Sequence, residues 1–126
     1  MQPVPQQAPL VLLVDDYQDA REMYAEFLRT SGYRVVEAAD GAEALEQAAA
    51  LVPDLILMDF ALPVIDGREA TRRLKADPAT AGIKVAILSG MPPEVVRGAG
   101  ADACVTKPCA PDVLLAEIKR LLAGAS

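Results

Sequence analysis

The chain has 126 residues, 52% of them apolar and 24% charged, with a net charge of −6. That size and balance give one domain with a real core and exclude a disordered chain. The acidic excess argues against nucleic acid or an anionic membrane as a direct partner. The sequence contains no histidine, which removes His-ligated zinc, Ser-His triads and phosphohistidine chemistry within this chain.

Met1–Pro9 is rich in Pro and Gln and lacks a basic signal region, so it reads as a flexible leader to a single domain over residues 10–124. No apolar run approaches a membrane span, and the expected location is cytoplasmic. Leu10–Val14 is a short apolar run with the length of a strand buried on both faces, and it ends on Asp15-Asp16. A helix follows, carrying Ala20, Met23, Tyr24, Phe27 and Leu28 at helical spacing until Ser31-Gly32. Arg34–Ala38 is a β-branched strand that ends without a reactive group. Asp40 caps a helix over residues 41–51, with Leu45, Ala48, Ala49 and Val52 expected inward.

The third apolar strand, Leu55–Met58, runs into Asp59. Leu62-Pro63 breaks the pattern, and Asp66-Gly67 opens a helix that Asp77-Pro78 stops. The basic residues Arg72, Arg73 and Lys75 in that helix read as a solvated face. Ile83–Leu88 is a strand ending at Ser89-Gly90. Met91–Gly100 holds two prolines and two glycines, so any helix there is short or irregular. Asp102–Thr106 is the last strand, ending at Lys107-Pro108. Pro111 then opens a helix with Leu114, Leu115, Ile118, Leu121 and Leu122 inward.

Five strands alternating with helical segments call for an α/β fold with a doubly wound parallel sheet and right-handed crossovers. The flavodoxin-like order 2-1-3-4-5 suits five strands. It also brings the strand ends carrying Asp15-Asp16, Asp59, Ser89 and Lys107 side by side and leaves the unreactive second strand at an edge. Three carboxylates at one sheet edge repel by about 3 kcal/mol per pair at roughly 5 Å. Such a cluster needs compensation, from Lys107 and from a cation. With oxygen ligands alone, Mg²⁺ is the favoured ion. A phosphoryl group on Asp59 would meet that ion, the Lys107 ammonium and the Ser89 hydroxyl.

Val14-Asp15-Asp16, Leu57-Met58-Asp59 with Leu62-Pro63 and Asp66-Gly67, Leu88-Ser89-Gly90 and Thr106-Lys107-Pro108 together resemble the receiver domain of bacterial two-component response regulators. The resemblance implies that Asp59 accepts a phosphoryl group from a histidine kinase or phosphotransfer protein. It implies that Asp16, Asp59 and the Ala61 backbone carbonyl hold Mg²⁺, with Asp15 acting mainly through water. Ser89 would bond the phosphoryl group and report it, Lys107 would pair with it, and the Lys107-Pro108 bond would be cis. The product would be a conformational switch acting on an unknown protein target, not a turnover enzyme. The alternative is a pseudo-receiver, an interaction module independent of phosphorylation.

Three features depart from the family's pattern. Cys104 occupies the switch position, three residues before the lysine, where relatives carry Tyr or Phe. The eighteen positions from Ser89 to Lys107 are about one helical turn short of most relatives, so signalling is expected through a surface other than the usual fourth-helix face or through a loop that orders on phosphorylation. Ala61 and Met91 stand where relatives place side chains that flank the attacking water, which implies slow loss of the phosphoryl group. Cys104 and Cys109 are expected to be free thiols.

Overall fold

The computed structural model describes residues 7–92, 94, 98 and 100–123. Among these residues the elements run β1 (Leu10–Val14), α1 (Gln18–Thr30), β2 (Arg34–Ala38), α2 (Gly41–Leu51), β3 (Leu55–Asp59), α3 (Gly67–Ala76), β4 (Lys84–Ser89), β5 (Ala103–Thr106) and α4 (Pro111–Leu122). Most of the leader and much of the short helical piece expected over Met91–Gly100 fall outside the described residues. No helix among the described residues is long and apolar enough to cross a membrane.

The five strands form one parallel sheet in the order β2-β1-β3-β4-β5. The central strands are apolar from Leu10 to Val14, Leu55 to Met58 and Val85 to Leu88, as suits strands covered on both faces. Side chains alternate between faces. Val11, Leu13, Leu55, Leu57, Ala86 and Leu88 pack with Ala25 and Leu28 of α1 and with Leu114, Ile118 and Leu121 of α4. Leu12, Val14, Ile56, Met58, Val85 and Ile87 pack on the other face with Ala44 and Ala48 of α2 and Ala70 and Leu74 of α3. Each of the larger side chains contributes about 1.5–3 kcal/mol by its burial. The sheet is thereby clamped between two helical layers, and only its ends are left for chemistry.

Three helix faces differ from the sequence expectation. In α1, Met23 is half exposed while Ala25 is buried. In α2, Ala44 and Ala48 face the sheet, Ala49 is exposed, and Val52 is exposed at a left-handed C-cap with φ 44°. The alanine-rich helix offers no contrast in side-chain size, so its apolar pattern does not fix the inward stripe. In α3, Arg72 and Arg73 do pair with Glu69 at the surface. Lys75 does not belong to that solvated face. Its ammonium lies 2.9 Å from Asp102 Oδ2 and donates to the Ile83 carbonyl at 2.8 Å. Asp102 Oδ2 also accepts the Val85 N–H at 2.8 Å. This latch joins α3 to the entries of β4 and β5. Burial works against the Asp102 carboxylate, but the Lys75 and Val85 hydrogen bonds outweigh it and hold its pKa below the ordinary value.

Candidate functional site

The site is built where β1, β3, β4 and β5 end. Asp59 is the last residue of β3, and Phe60 N–H donates to the Leu88 carbonyl at 2.9 Å, which extends the β3–β4 ladder one step beyond it. Lys107 N–H donates to the Ser89 carbonyl at 2.9 Å, which does the same for β5 on β4. Asp15 is fixed from three sides. Its N–H donates to the Ala38 carbonyl at 3.1 Å, its carbonyl accepts Arg21 Nη1 at 2.8 Å, and its Oδ1 accepts the Tyr17 N–H at 2.9 Å. Arg21 is itself held by Glu37 at 3.2 Å. These contacts leave Asp15 Oδ2 turned toward the neighbouring strand ends.

One oxygen from each of Asp15, Asp16 and Asp59 lies within 4.8 Å of the others. Lys107 Nζ stands 3.0 Å from Asp59 Oδ1 and 3.7 Å from Asp15 Oδ2. Asp15 is buried, Asp59 is half-buried and Asp16 is exposed. Burial pushes the Asp59 carboxyl above its ordinary value, the Lys107 hydrogen bond opposes that, and the charges of Asp15 and Asp16 add to the rise. Burial works against the Lys107 ammonium as well. The Asp59 hydrogen bond and the charges of Asp59 and Asp15 overcome it, so its pKa sits above the ordinary lysine value. The Lys107-Pro108 peptide bond is cis.

A cavity of about 440 Å³ opens beside Asp59, lined by Asp59, Phe60, Ala61, Asp66, Ser89, Gly90 and Met91. Ser89 is buried, and its Oγ accepts the Met91 N–H at 2.9 Å, which leaves its O–H free to donate. Asp66 caps α3 by accepting the Glu69 N–H at 2.8 Å. Gly67 lets that helix start against the end of β3. A Cβ there would lie 2.5 Å from the Asp59 carbonyl oxygen and 2.9 Å from Phe60 Cα.

The acidic residues and Lys107 singled out from the sequence therefore meet, and Ser89 and Ala61 line the same opening as Asp59. Cys104 stands apart from them. It pairs across the sheet with Ile87 and packs half-buried on the α2–α3 face. Sequence reasoning placed Tyr24 in the core alone and missed its hydroxyl, which donates to the Cys109 carbonyl at 2.9 Å. The residue type was the available signal, since a phenol on an inward helix stripe must find a partner.

The model of the response regulator receiver domain matches residues 11–119. The chain belongs to the response regulator receiver family. It is 40% identical over 120 residues to the phosphate regulon transcriptional regulatory protein PhoB of Pseudomonas aeruginosa, covering 89% of this chain and 51% of PhoB. It is 45% identical over 101 residues to the gliding motility regulatory protein of Myxococcus xanthus, covering 77% of this chain and 13% of that protein. This receiver thus spans about half the length of PhoB and a smaller part of the second relative. Among solved structures it resembles the chemotaxis response regulator CheY4 of Vibrio cholerae, with TM-score 0.86 and 31% identity over 91% of this chain and 99% of that one. It equally resembles the receiver domain of sensor histidine kinase PA1611 of Pseudomonas aeruginosa, described with magnesium coordinated in its active-site cleft. There the TM-score is 0.86 and the identity 30%, covering 92% of this chain and 98% of that one.

Proposed function

We propose that this receiver takes a phosphoryl group onto Asp59 from the phosphohistidine of a histidine kinase or phosphotransfer protein, in a Mg²⁺-dependent reaction, and controls a protein partner through the resulting change of conformation. The observation that carries the reading is the pairing of Lys107 with Asp59 at 3.0 Å and Asp15 at 3.7 Å, within a cluster of three carboxylates. A structural ion pair needs one acid. Three acids and one ammonium at the strand ends leave unbalanced negative charge that a divalent cation would offset.

The donor set is oxygen only, which fits Mg²⁺. Asp16, Asp59 and the Ala61 carbonyl would hold the ion, with Asp15 bonding one of its waters. When bound, it supplies positive charge that offsets the oxygens of the transferring group. The protein's own residues do the rest. An Asp59 carboxylate oxygen attacks phosphorus, the bond from phosphorus to the donor nitrogen breaks, and the electron pair leaves with the imidazole. The Lys107 ammonium exchanges part of its bond to Asp59 for one to a phosphoryl oxygen. The Ser89 hydroxyl donates to another, and its movement toward the group is the start of the switch. Burial of Asp15 and the anchored backbone of Asp59 hold this geometry in advance, so little reorganisation is left for the transfer step.

The test is incubation with a small acyl phosphate and Mg²⁺. One base-labile phosphate per chain is expected, and none when EDTA is present. Absence of incorporation with Mg²⁺, or incorporation that EDTA leaves unchanged, overturns the reading.

A further inference from the structure

We infer that Tyr24 is a positioning residue for Lys107, whose hydroxyl pins the loop after Lys107 to α1 and so keeps the ammonium over Asp59 and Asp15. The inference rests on the phosphoacceptor reading and adds a residue to it. The segment 107–110 joins the end of β5 to the start of α4. On the sheet side its anchor is the Lys107 N–H, which donates to the Ser89 carbonyl at 2.9 Å. Pro108 has no N–H to offer. On the helix side the anchor is the Cys109 carbonyl, which accepts the Tyr24 hydroxyl at 2.9 Å across 85 positions of sequence.

Among the described residues, this is the one side-chain hydrogen bond that another element makes to the backbone of that segment. Tyr24 is well placed to hold it. Its side chain packs against the core cluster that contains Leu28 of α1, Leu114 of α4 and the buried Cys109. Burial raises its phenol above the ordinary value, so the hydroxyl remains a donor through the neutral range.

The consequence follows from the nature of lysine. Its side chain has four rotatable bonds, and ordering them costs up to about 2 kcal/mol. An ammonium 3.0 Å from one carboxylate and 3.7 Å from another keeps that geometry only if its Cα is fixed. The Ser89 carbonyl and the Tyr24 hydroxyl fix the backbone on the two sides of Pro108. A ring without the hydroxyl would fill the same space and leave the second anchor open.

The experiment compares wild type, Tyr24→Phe, Lys107→Met and the double variant, all fully folded at the assay temperature. Phosphate uptake from a small acyl phosphate with Mg²⁺ is expected to fall on the order of threefold to tenfold in Tyr24→Phe, the size of one hydrogen bond expressed in a rate. In the Lys107→Met background the same change should cause no further loss, since Tyr24 acts through the lysine. A metal-free readout accompanies it. The two ε-methylene protons of Lys107 should be resolved by NMR in wild type and averaged in Tyr24→Phe. A rate within twofold of wild type, or an equal fractional loss in both backgrounds, overturns the inference. If wild type itself takes no phosphate, the phosphoacceptor reading fails, and the Lys107 NMR signals alone then decide whether Tyr24 orders the lysine.

Discussion

Mg²⁺ should stabilise this fold, and Asp16→Asn should abolish that stabilisation while raising the stability of the metal-free protein. The carboxylate oxygens of Asp15, Asp16 and Asp59 lie within 4.8 Å of one another. At that separation two unit charges repel by about 3.5 kcal/mol at an effective dielectric of 20 and by about 0.9 kcal/mol in water. Asp16 is exposed, so its two repulsions lie near the aqueous limit and total about 1–2 kcal/mol. The ion pairs of Lys107 go to Asp59 and Asp15, so Asp16 carries the charge that Lys107 contacts least. Removing it should raise Tm by about 4–8 °C in low salt and EDTA. In wild type, Mg²⁺ at ten times its Kd should stabilise by about 1.4 kcal/mol, and Tm should keep rising with the logarithm of concentration. Thermal unfolding followed by circular dichroism across a Mg²⁺ series measures both effects. A wild-type Tm indifferent to Mg²⁺, or an equal slope in Asp16→Asn, would refute the argument from carboxylate repulsion.

Other expectations follow from single contacts. Asp102→Asn should cost about 1–2 kcal/mol at neutral pH, because Asp102 Oδ2 holds both Lys75 Nζ and the Val85 N–H. The Asp102 pKa is depressed in the fold, so its contribution is complete above the unfolded value of about 3.9 and is lost as pH falls through the lower folded value. Denaturant curves of wild type and variant should therefore converge in acid, and a gap that persists there would contradict the assignment. Gly67→Ala should destabilise by about 1–3 kcal/mol despite alanine's better helix propensity, since its Cβ would meet backbone atoms of Asp59 and Phe60 that cannot step aside. A neutral or stabilising result in chemical denaturation would mean that α3 is free to shift. Ala61 and Met91 line the cavity beside Asp59, and neither can orient water. The phosphorylated protein should therefore lose its label slowly, and loss within seconds would show that another group directs the water.

Much of this molecule was legible from the chain alone, for physical reasons. Strands buried on both faces announce themselves as apolar runs, and Leu10–Val14, Leu55 to Met58 and Val85 to Leu88 all do so. Once the sheet order is set, the ends of β1, β3, β4 and β5 share one edge, so Asp15, Asp59, Ser89 and Lys107 fall close together. What stayed hidden were partnerships between distant positions. Lys75 looked like part of a basic surface because its partner Asp102 stands 27 positions away. The Tyr24 hydroxyl looked like core because its acceptor stands 85 positions away. On α2, Leu45 and Ala48 lie inward as expected, whereas Ala49 and Val52 are exposed, because alanines on both sides of the helix carry little information about which side is covered. Cys104 could be assigned to a strand position, but a thiol of its size gives no signal of a functional role.

The most direct test of the account is the location of the phosphate. After exposure to a small acyl phosphate and Mg²⁺, proteolysis and mass spectrometry should find one phosphate, on the peptide that contains Asp59, and Asp59→Asn should acquire none. Phosphate on any other residue, equal uptake by Asp59→Asn, or a wild-type chain that never acquires phosphate would contradict the account. The last result would leave an interaction module that works without phosphorylation.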